Sequence, residues 1–215
     1  MNSALILAGG SGIRLKSETP KQFLLLNKKR ILDYSINIFC NNKNVDEVVI
    51  VCHPDWLKKL NYTGTIITTG GDTRTESVLK GLNKCDTYCK NVIIHDSSRP
   101  FITDTIIDKG LKLLSSYDSA IPIVDIDDSI IQQKPKLEYL NRNNIKRIQT
   151  PQFFNYKKIL EAHKFKKKTY TDDLSHLLNY FNNKNKISYK FFTGSRNNFK
   201  ITSREDYELA KTILS

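Results

Sequence analysis

The run ALILAGGSGIRLKSETPKQF, residues 4–23, decides the fold. Its apolar start, Ala4–Leu7, reads as a strand. Gly9, Gly10 and Gly12 then place three glycines within four positions. Such a cluster asks for backbone freedom or for a ligand lying close against the main chain. Arg14 and Lys21 add two cations, and Pro20 fixes the chain just before the lysine. Strand, glycine loop and cations together point to phosphate. Two familiar phosphate loops fit poorly. The Walker A string G-x-x-x-x-G-K-[ST] does not occur. The dinucleotide fingerprint G-x-G-x-x-G lacks its third glycine, because Gly10-Ser11-Gly12 is followed by Ile13-Arg14-Leu15. The plain alternative is a surface turn with two solvated cations.

Outward from this loop, strands and helices alternate. Leu24–Leu26 and Arg30–Ile31 flank a short turn, and Leu32–Phe39 has helical spacing. Val45–Cys52 is an apolar, β-branched strand, Pro54–Leu60 a short helix, and Thr63–Thr69 a strand ending in Gly70-Gly71. Thr73–Leu82 reads as a helix with Thr73 and Glu76 at capping-box spacing. Val92–Ile94 is a strand running into His95-Asp96, Thr103–Leu114 a helix, and Ser119–Val124 a strand. Repeated β-α-β order with apolar strands means a mostly parallel sheet covered on both faces. Ligands of such sheets bind beyond the C-terminal strand ends. That edge receives Gly9–Gly12, Gly70–Asp72 and Asp96–Arg99.

After Asp125 the alternation breaks. Asp127–Leu140 reads as two short strands around Lys134-Pro135-Lys136, a hairpin arm. An isolated hairpin is marginal in water, so a projecting arm packs on a partner, and a dimer is expected. Helices resume at Tyr156–His163 and Thr171–Phe181, followed by a strand at Ile187–Phe192. A last helix spans Ser203–Leu214, with Thr202 and Glu205 at capping-box spacing. The expectation is one domain, 1–215, carrying an inserted arm at about 126–149. With residue 215 just past the last helix, no fused second enzyme is expected.

The 215 residues are 39% hydrophobic and 26% charged, enough for one α/β domain with a real core. No apolar run is long enough to span a bilayer, and Met1-Asn2-Ser3 leads directly into a strand without a secretory pattern. No membrane association and a cytoplasmic location are expected. The net charge of +12 fits nucleic acid, an anionic surface or an anionic small substrate. Its cations are scattered, with one dense run at Lys164–Lys168, and no nucleic-acid motif accompanies them, so no nucleic-acid partner is expected. Cys40, Cys52, Cys85 and Cys89 lack the partners of a zinc site and read as free thiols.

The charged residues gathered at the predicted edge are Arg14, Lys21, Arg74, Asp96, Arg99, Arg142 and Lys200. Several cations around one carboxylate suit a polyphosphate with a divalent metal. Asp96 is the natural ligand, because magnesium takes one or two carboxylates plus phosphate oxygens; an exposed helix cap is the alternative reading of Asp96.

Seven blocks, in order, make the chain resemble the 2-C-methyl-D-erythritol 4-phosphate cytidylyltransferase family. They are Ala8–Arg14, Pro20–Phe23, Gly70–Val78, His95–Pro100, Thr150–Phe154, Thr171–Asp173 and Asn198–Thr202, and the resemblance covers nearly the whole chain. It implies a Rossmann-like, GT-A-like nucleotidyltransferase fold of the α/β class. It also implies a reaction: CTP and methylerythritol 4-phosphate give 4-diphosphocytidyl-methylerythritol and pyrophosphate with Mg2+, in non-mevalonate isoprenoid biosynthesis. By the resemblance, Arg14, Lys21 and Lys200 are catalytic and stabilise the α-phosphate as it becomes five-coordinate. CTP is held by Ala8, Gly9, Gly10, Gly12, Gly71, Asp72, Ser77 and Asp96. The sugar phosphate is held by Asp96, Arg99 and Thr150, together with Arg142 and the arm hydroxyl Ser129 of the second subunit of a homodimer.

The chain departs from the family at Ser97-Ser98, where two alanines are common, and at Ser129, where threonine is usual. Leu7-Ala8-Gly9-Gly10 and Pro20–Leu24 also resemble the sister family that makes CDP-ribitol from ribitol 5-phosphate for cell-surface polymers. Ser77–Leu82 and Asn141-Arg142-Asn143 favour the methylerythritol family. Both acceptors are polyol phosphates, so the cytidylyl-transfer roles are the same in either.

Overall fold

The computed structural model describes residues 1–10, 19–133, 135–165, 170–181 and 187–214. Strand β1 (Asn2–Ala8) lies at the centre of the main sheet. It pairs in parallel with β4 (Glu47–Cys52) on one side and with β6 (Asn91–Asp96) on the other. A strand with parallel neighbours on both edges is covered on both faces, which is why the central residues of all three strands are apolar. Strand β5 (Ile66–Thr69) extends the sheet in parallel beyond β4.

Alternate β1 residues enter two cores, as the pleat requires. Ala4, Ile6 and Ala8 pack with α1 (Ile31–Asn41) and α4 (Asp104–Leu113) through Leu32, Ile36, Phe39 and Ile107. Leu5 packs on the opposite face with Val78 and Leu82 of α3 (Arg74–Leu82), Ile159 of α5 (Tyr156–Lys164) and Leu174 of α6 (Asp173–Phe181). A third cluster joins the hairpin β2 (Leu25–Leu26) and β3 (Lys29–Arg30) to the last helix, α7 (Arg204–Leu214), through Leu26, Ile31, Ile201 and Ala210. Asn27 and Lys28 both have positive φ, as a two-residue type I′ hairpin turn demands.

Past α4 the sheet changes character. Strand β7 (Ser119–Asp125) does not pair with β6 directly. Strand β11 (Gln152–Asn155) lies between them, antiparallel to both. Ile123 pairs with Ile148 of β10 (Lys146–Ile148) and with Thr193 of β12 (Tyr189–Thr193). A strand has two edges, so β10 and β11 follow one edge of β7 and β12 the other. Neither β10 nor β11 is anticipated by the sequence reading. The arm itself forms as expected: β8 (Ile130–Gln133) pairs antiparallel with β9 (Leu137–Leu140).

The helix starts refine two expectations. Thr73 accepts from the Glu76 N–H as an N-cap, but the Glu76 carboxylate accepts from the Asp72 N–H, one residue outside the box. At α7 the reciprocal pair is Ser203 and Asp206, not Thr202 and Glu205: Ser203 Oγ accepts from the Asp206 N–H, and Asp206 accepts from the N–H groups of Thr202 and Ser203. The short helix after β4, α2, covers Pro54–Leu57 only. The four cysteines are free, and among the described residues no helix is long and apolar enough to cross a membrane.

Candidate active site at the carboxyl edge of the sheet

The C-terminal ends of β1, β4, β5 and β6 open on a cleft of about 590 Å3. Gly9 and Gly10 after β1, His53 after β4, Gly70–Arg74 and Ser77 from the β5–α3 turn and the start of α3, Asp96–Ser98 from the end of β6, and Lys21 and Lys200 line it. A second cleft of about 420 Å3 adjoins it, lined by Arg99, Lys146, Thr150 and Asp172 among others. Arg74, Asp96 and Lys200 belong to both. The edge predicted from three separate loops is therefore one continuous site.

Hydrogen bonds specify the shape of the glycine turns. Gln22, in the one-turn helix Lys21–Phe23, is buried and donates from Nε2 to the carbonyls of Ala8 (2.7 Å) and Gly10 (2.9 Å). Across the cleft, Ser77 Oγ accepts from the Gly71 N–H at 3.0 Å. A Cβ at Gly71 would lie 2.4 Å from Glu76 Cβ, and one at Gly70 would lie 2.7 Å from Ser77 Oγ, so both positions exclude a side chain. Lys21 donates to the Ile201 carbonyl at 2.8 Å, which brings its ammonium to the segment carrying Lys200.

Asp96 is the electrostatic hub. Lys200 Nζ is 2.6 Å from one carboxylate oxygen and Arg74 Nη2 3.6 Å from the other. Burial alone raises this carboxyl; Arg74 and then Lys200 outweigh it and hold Asp96 well below the usual carboxylate range. Arg74 in turn makes a bidentate pair with the fully buried Asp173, at 2.9 and 2.6 Å. Burial opposes ionisation of Asp173 too, and Arg74 with His163 keeps it charged. Asp173 thus anchors Arg74, and Arg74 reaches Asp96.

The acceptor side is braced by buried polar groups. Thr150 Oγ1 accepts from the Asp96 N–H at 3.0 Å and lies 3.3 Å from His95 Nδ1. His95 Nε2 is 3.2 Å from the Arg99 carbonyl, and burial pushes its pKa down to about 4, so the ring is neutral. Arg99 donates to the Asn198 carbonyl at 2.8 Å, and Asn198 Nδ2 donates to the Thr150 carbonyl at 2.9 Å. The segment carrying Lys200 is thereby tied to both Arg99 and Thr150.

The expected residues fall into three groups. Ala8, Gly9, Gly10, Lys21, Gly71, Asp72, Ser77, Asp96, Arg99, Thr150 and Lys200 lie in or directly beneath the two clefts. Ser129 and Arg142 line neither cleft of their own chain; both are exposed, and Arg142 donates to the Asp127 carbonyl at the root of the arm. Gly12 and Arg14 lie outside the described residues. The sequence reading assigned no task to Gln22, Asp173 or His95, although each sits inside a block it singled out, and it left Arg74 an edge cation without a role. Among the described residues no three His, Cys, Asp or Glu side chains group as a metal site.

A mainly parallel α/β sheet that gathers glycine turns, lysines and the ionised Asp96 over its strand ends is the arrangement of a nucleotidyltransferase. The family model of IspD, 2-C-methyl-D-erythritol 4-phosphate cytidylyltransferase, matches residues 3–215, and the chain belongs to this family of cytidylyltransferase enzymes. It is 36% identical to the 2-C-methyl-D-erythritol 4-phosphate cytidylyltransferase of Clostridium botulinum (strain 657 / Type Ba4), over 99% of this chain and 97% of that protein. It is 37% identical to the protein of the same name from Clostridium kluyveri (strain NBRC 12016), over 99% and 96%. Its fold matches the crystal structure of 4-diphosphocytidyl-2C-methyl-D-erythritol synthase from Anaerococcus prevotii DSM 20548 with a TM-score of 0.85 at 26% identity, covering 99% of this chain and 95% of that one. These names favour the methylerythritol reading over the ribitol one.

Proposed function

We propose that the chain transfers CMP from CTP to 2-C-methyl-D-erythritol 4-phosphate, releasing pyrophosphate, in non-mevalonate isoprenoid biosynthesis. The observation that carries this reading is the shared wall: Asp96, Arg74 and Lys200 face both clefts at once. The larger cleft takes CTP and the second takes the polyol phosphate, so the two reactants meet across that wall. An oxygen of the acceptor phosphate attacks the α-phosphorus. The bond from that phosphorus to the pyrophosphate oxygen breaks, and the new phosphoanhydride forms.

Both reactants are anions, so charge neutralisation is the main demand. Lys21 and Lys200 supply positive charge where they converge near Ile201. Arg14 is assigned to the same task by the family resemblance. Arg99 and Thr150 orient the acceptor, Arg99 with a guanidinium suited to two phosphate oxygens. Asp96 is ionised and 13% exposed, and no carboxylate cluster accompanies it among the described residues. Such a site fits a magnesium ion held by Asp96 together with triphosphate oxygens, and the ion would add charge neutralisation on those phosphates.

The working form we propose is a cytoplasmic homodimer of one nucleotidyltransferase domain, 1–215, with its arm at about 126–149. The arm pairs only with itself among the described strands and exposes Ile131, Leu137 and Tyr139. In this form Ser129 and Arg142 complete the partner's acceptor site.

The test is pyrophosphate release with CTP and magnesium, comparing methylerythritol 4-phosphate with ribitol 5-phosphate. Release with the first alone is expected. Lys21→Ala is expected to lose about 3 kcal/mol or more of transition-state stabilisation, about a hundredfold in kcat. Release with ribitol 5-phosphate alone overturns the acceptor, and release with neither overturns the reaction.

A further inference from the structure

Ile148 is the last residue of β10 and is 40% exposed. It lines the second cleft and not the larger one. The other described residues of that second cleft present charged, hydroxyl or amide side chains, so Ile148 is its one apolar side chain among the described residues. The strand explains this placing. Side chains two apart in a strand share a face. Lys146 and Ile148 both line the cleft, and Arg147 between them does not. Pairing with β7 fixes the backbone, with Ile148 opposite Ile123 and Lys146 opposite Asp125. The Asp125 carboxylate holds the Lys146 ammonium at 2.5 Å. Two residues beyond Ile148, Thr150 Oγ1 accepts from the N–H of Asp96 in the shared wall. The segment Ile148–Thr150 thus runs from an apolar side chain to that wall.

We propose that Ile148 is a specificity-determining residue for the acceptor, and that its side chain takes the methyl branch of 2-C-methyl-D-erythritol 4-phosphate. The inference deepens the proposed function and rests on its placing that acceptor in the second cleft. The phosphate and hydroxyl groups of the acceptor find polar partners throughout this cleft. A methyl group makes no hydrogen bond and gains only by leaving water against apolar surface. Ile148 supplies that surface. The branch sits on carbon 2, two carbons from the phosphate-bearing carbon 4. With the phosphate at the shared wall, the branch lies away from the wall, on the side that Ile148 lines. An unbranched polyol phosphate leaves the Ile148 side chain wetter and is favoured less.

The experiment measures pyrophosphate release by the full chain with CTP, magnesium and either 2-C-methyl-D-erythritol 4-phosphate or erythritol 4-phosphate, which lacks only the methyl branch. Wild type is compared with Ile148→Thr and Ile148→Val, both β-branched and suited to a strand. Threonine sets a hydroxyl where the methyl branch lies, and valine keeps the apolar surface. The wild type is expected to favour the branched acceptor about tenfold in kcat/KM, the scale of one methyl group in an apolar contact. Ile148→Thr loses most of that preference through a higher KM for the branched acceptor, and Ile148→Val retains more of it. A merely structural role lowers kcat/KM for both acceptors alike, and that result overturns the proposal. So does a folded Ile148→Thr with wild-type preference, and so does a wild type that uses both acceptors equally well. Melting temperatures that show neither variant to fold overturn it too, because Ile148 is then a residue of the fold. A wild type that releases no pyrophosphate with methylerythritol 4-phosphate overturns the proposed function itself, a result distinct from all of these.

Discussion

The carboxyl edge and the arm are both polar excursions from the same sheet, and they are held in opposite ways. At the edge, the described charged side chains have partners within their own chain: Asp96 has Lys200 and Arg74, Arg74 has Asp173, Lys21 has Ile201, and Arg99 has Asn198. Most of these contacts are buried or half-buried, where charge pairs are little screened. At the arm, β8 and β9 pair with each other alone among the described strands. The ion pair of Asp127 with Arg196 is exposed, as are Leu137 (59%) and Tyr139 (75%). The edge is preorganised before substrate arrives. Among the described residues the arm leaves Ile131, Leu137 and Tyr139 exposed, and in the dimer we propose Ser129 and Arg142 act where a second chain meets them.

That contrast can be broken most directly by mixing variants. Lys21→Ala removes a charge from the edge, and Arg142→Ala removes one from the arm. Each alone is expected to reduce pyrophosphate release by about a hundredfold, the scale of one lost transition-state contact. Refolded together, they are expected to recover activity that neither has, because one site of a mixed dimer then carries neither change. No recovery in an assay of co-refolded protein shows instead that Arg142 serves its own chain.

A smaller effect sharpens the statement that the edge is held by buried neutral and paired groups. The His95 pKa is about 4 in the folded chain and about 6.5 when unfolded. Between those values the unfolded chain binds a proton that the native chain refuses. The His95 contribution is therefore complete above pH 6.5, falls by up to about 1.4 kcal/mol per pH unit on acidification, and stops falling once native His95 also protonates near pH 4. Melting temperatures over this range are expected to fall more gently in His95→Gln than in the parent; identical slopes exclude His95 as the source. The smallest effect belongs to the arm root. Arg196→Ala breaks an ion pair whose side chains are each 61% exposed, and no measurable change in melting temperature is expected. A clear loss there shows that the arm is braced within one chain after all.

Much of this arrangement is visible in the residues. The apolar runs of β1, β4 and β6 announce parallel, doubly covered strands, and the glycine turns mark where they end. The arm is legible from its Lys-Pro-Lys turn. Strands β10 and β11 are not, because they are three and four residues long and lie past Asp125, where the β-α alternation has already broken. The cap of α7 shifts by one residue, with Asp206 rather than Glu205 accepting from the N–H groups of Thr202 and Ser203. Gln22 and Asp173 are polar residues whose importance lies in being buried, and burial of a polar side chain leaves no periodic trace.

By itself the sequence determined the class of fold and the edge at which the glycine turns and charged side chains gather. Those features rest on local chemistry: hydrophobic period, glycine freedom and the order of strands and turns. Only the tertiary structure decided that Asp96 is shared by two clefts, that Arg74 is anchored by Asp173 across 99 residues of chain, and that Gln22 spends both donors on the glycine turn. These are contacts between segments distant in sequence, and their energies come from burial and mutual orientation, which exist only once the sheet has brought the segments together.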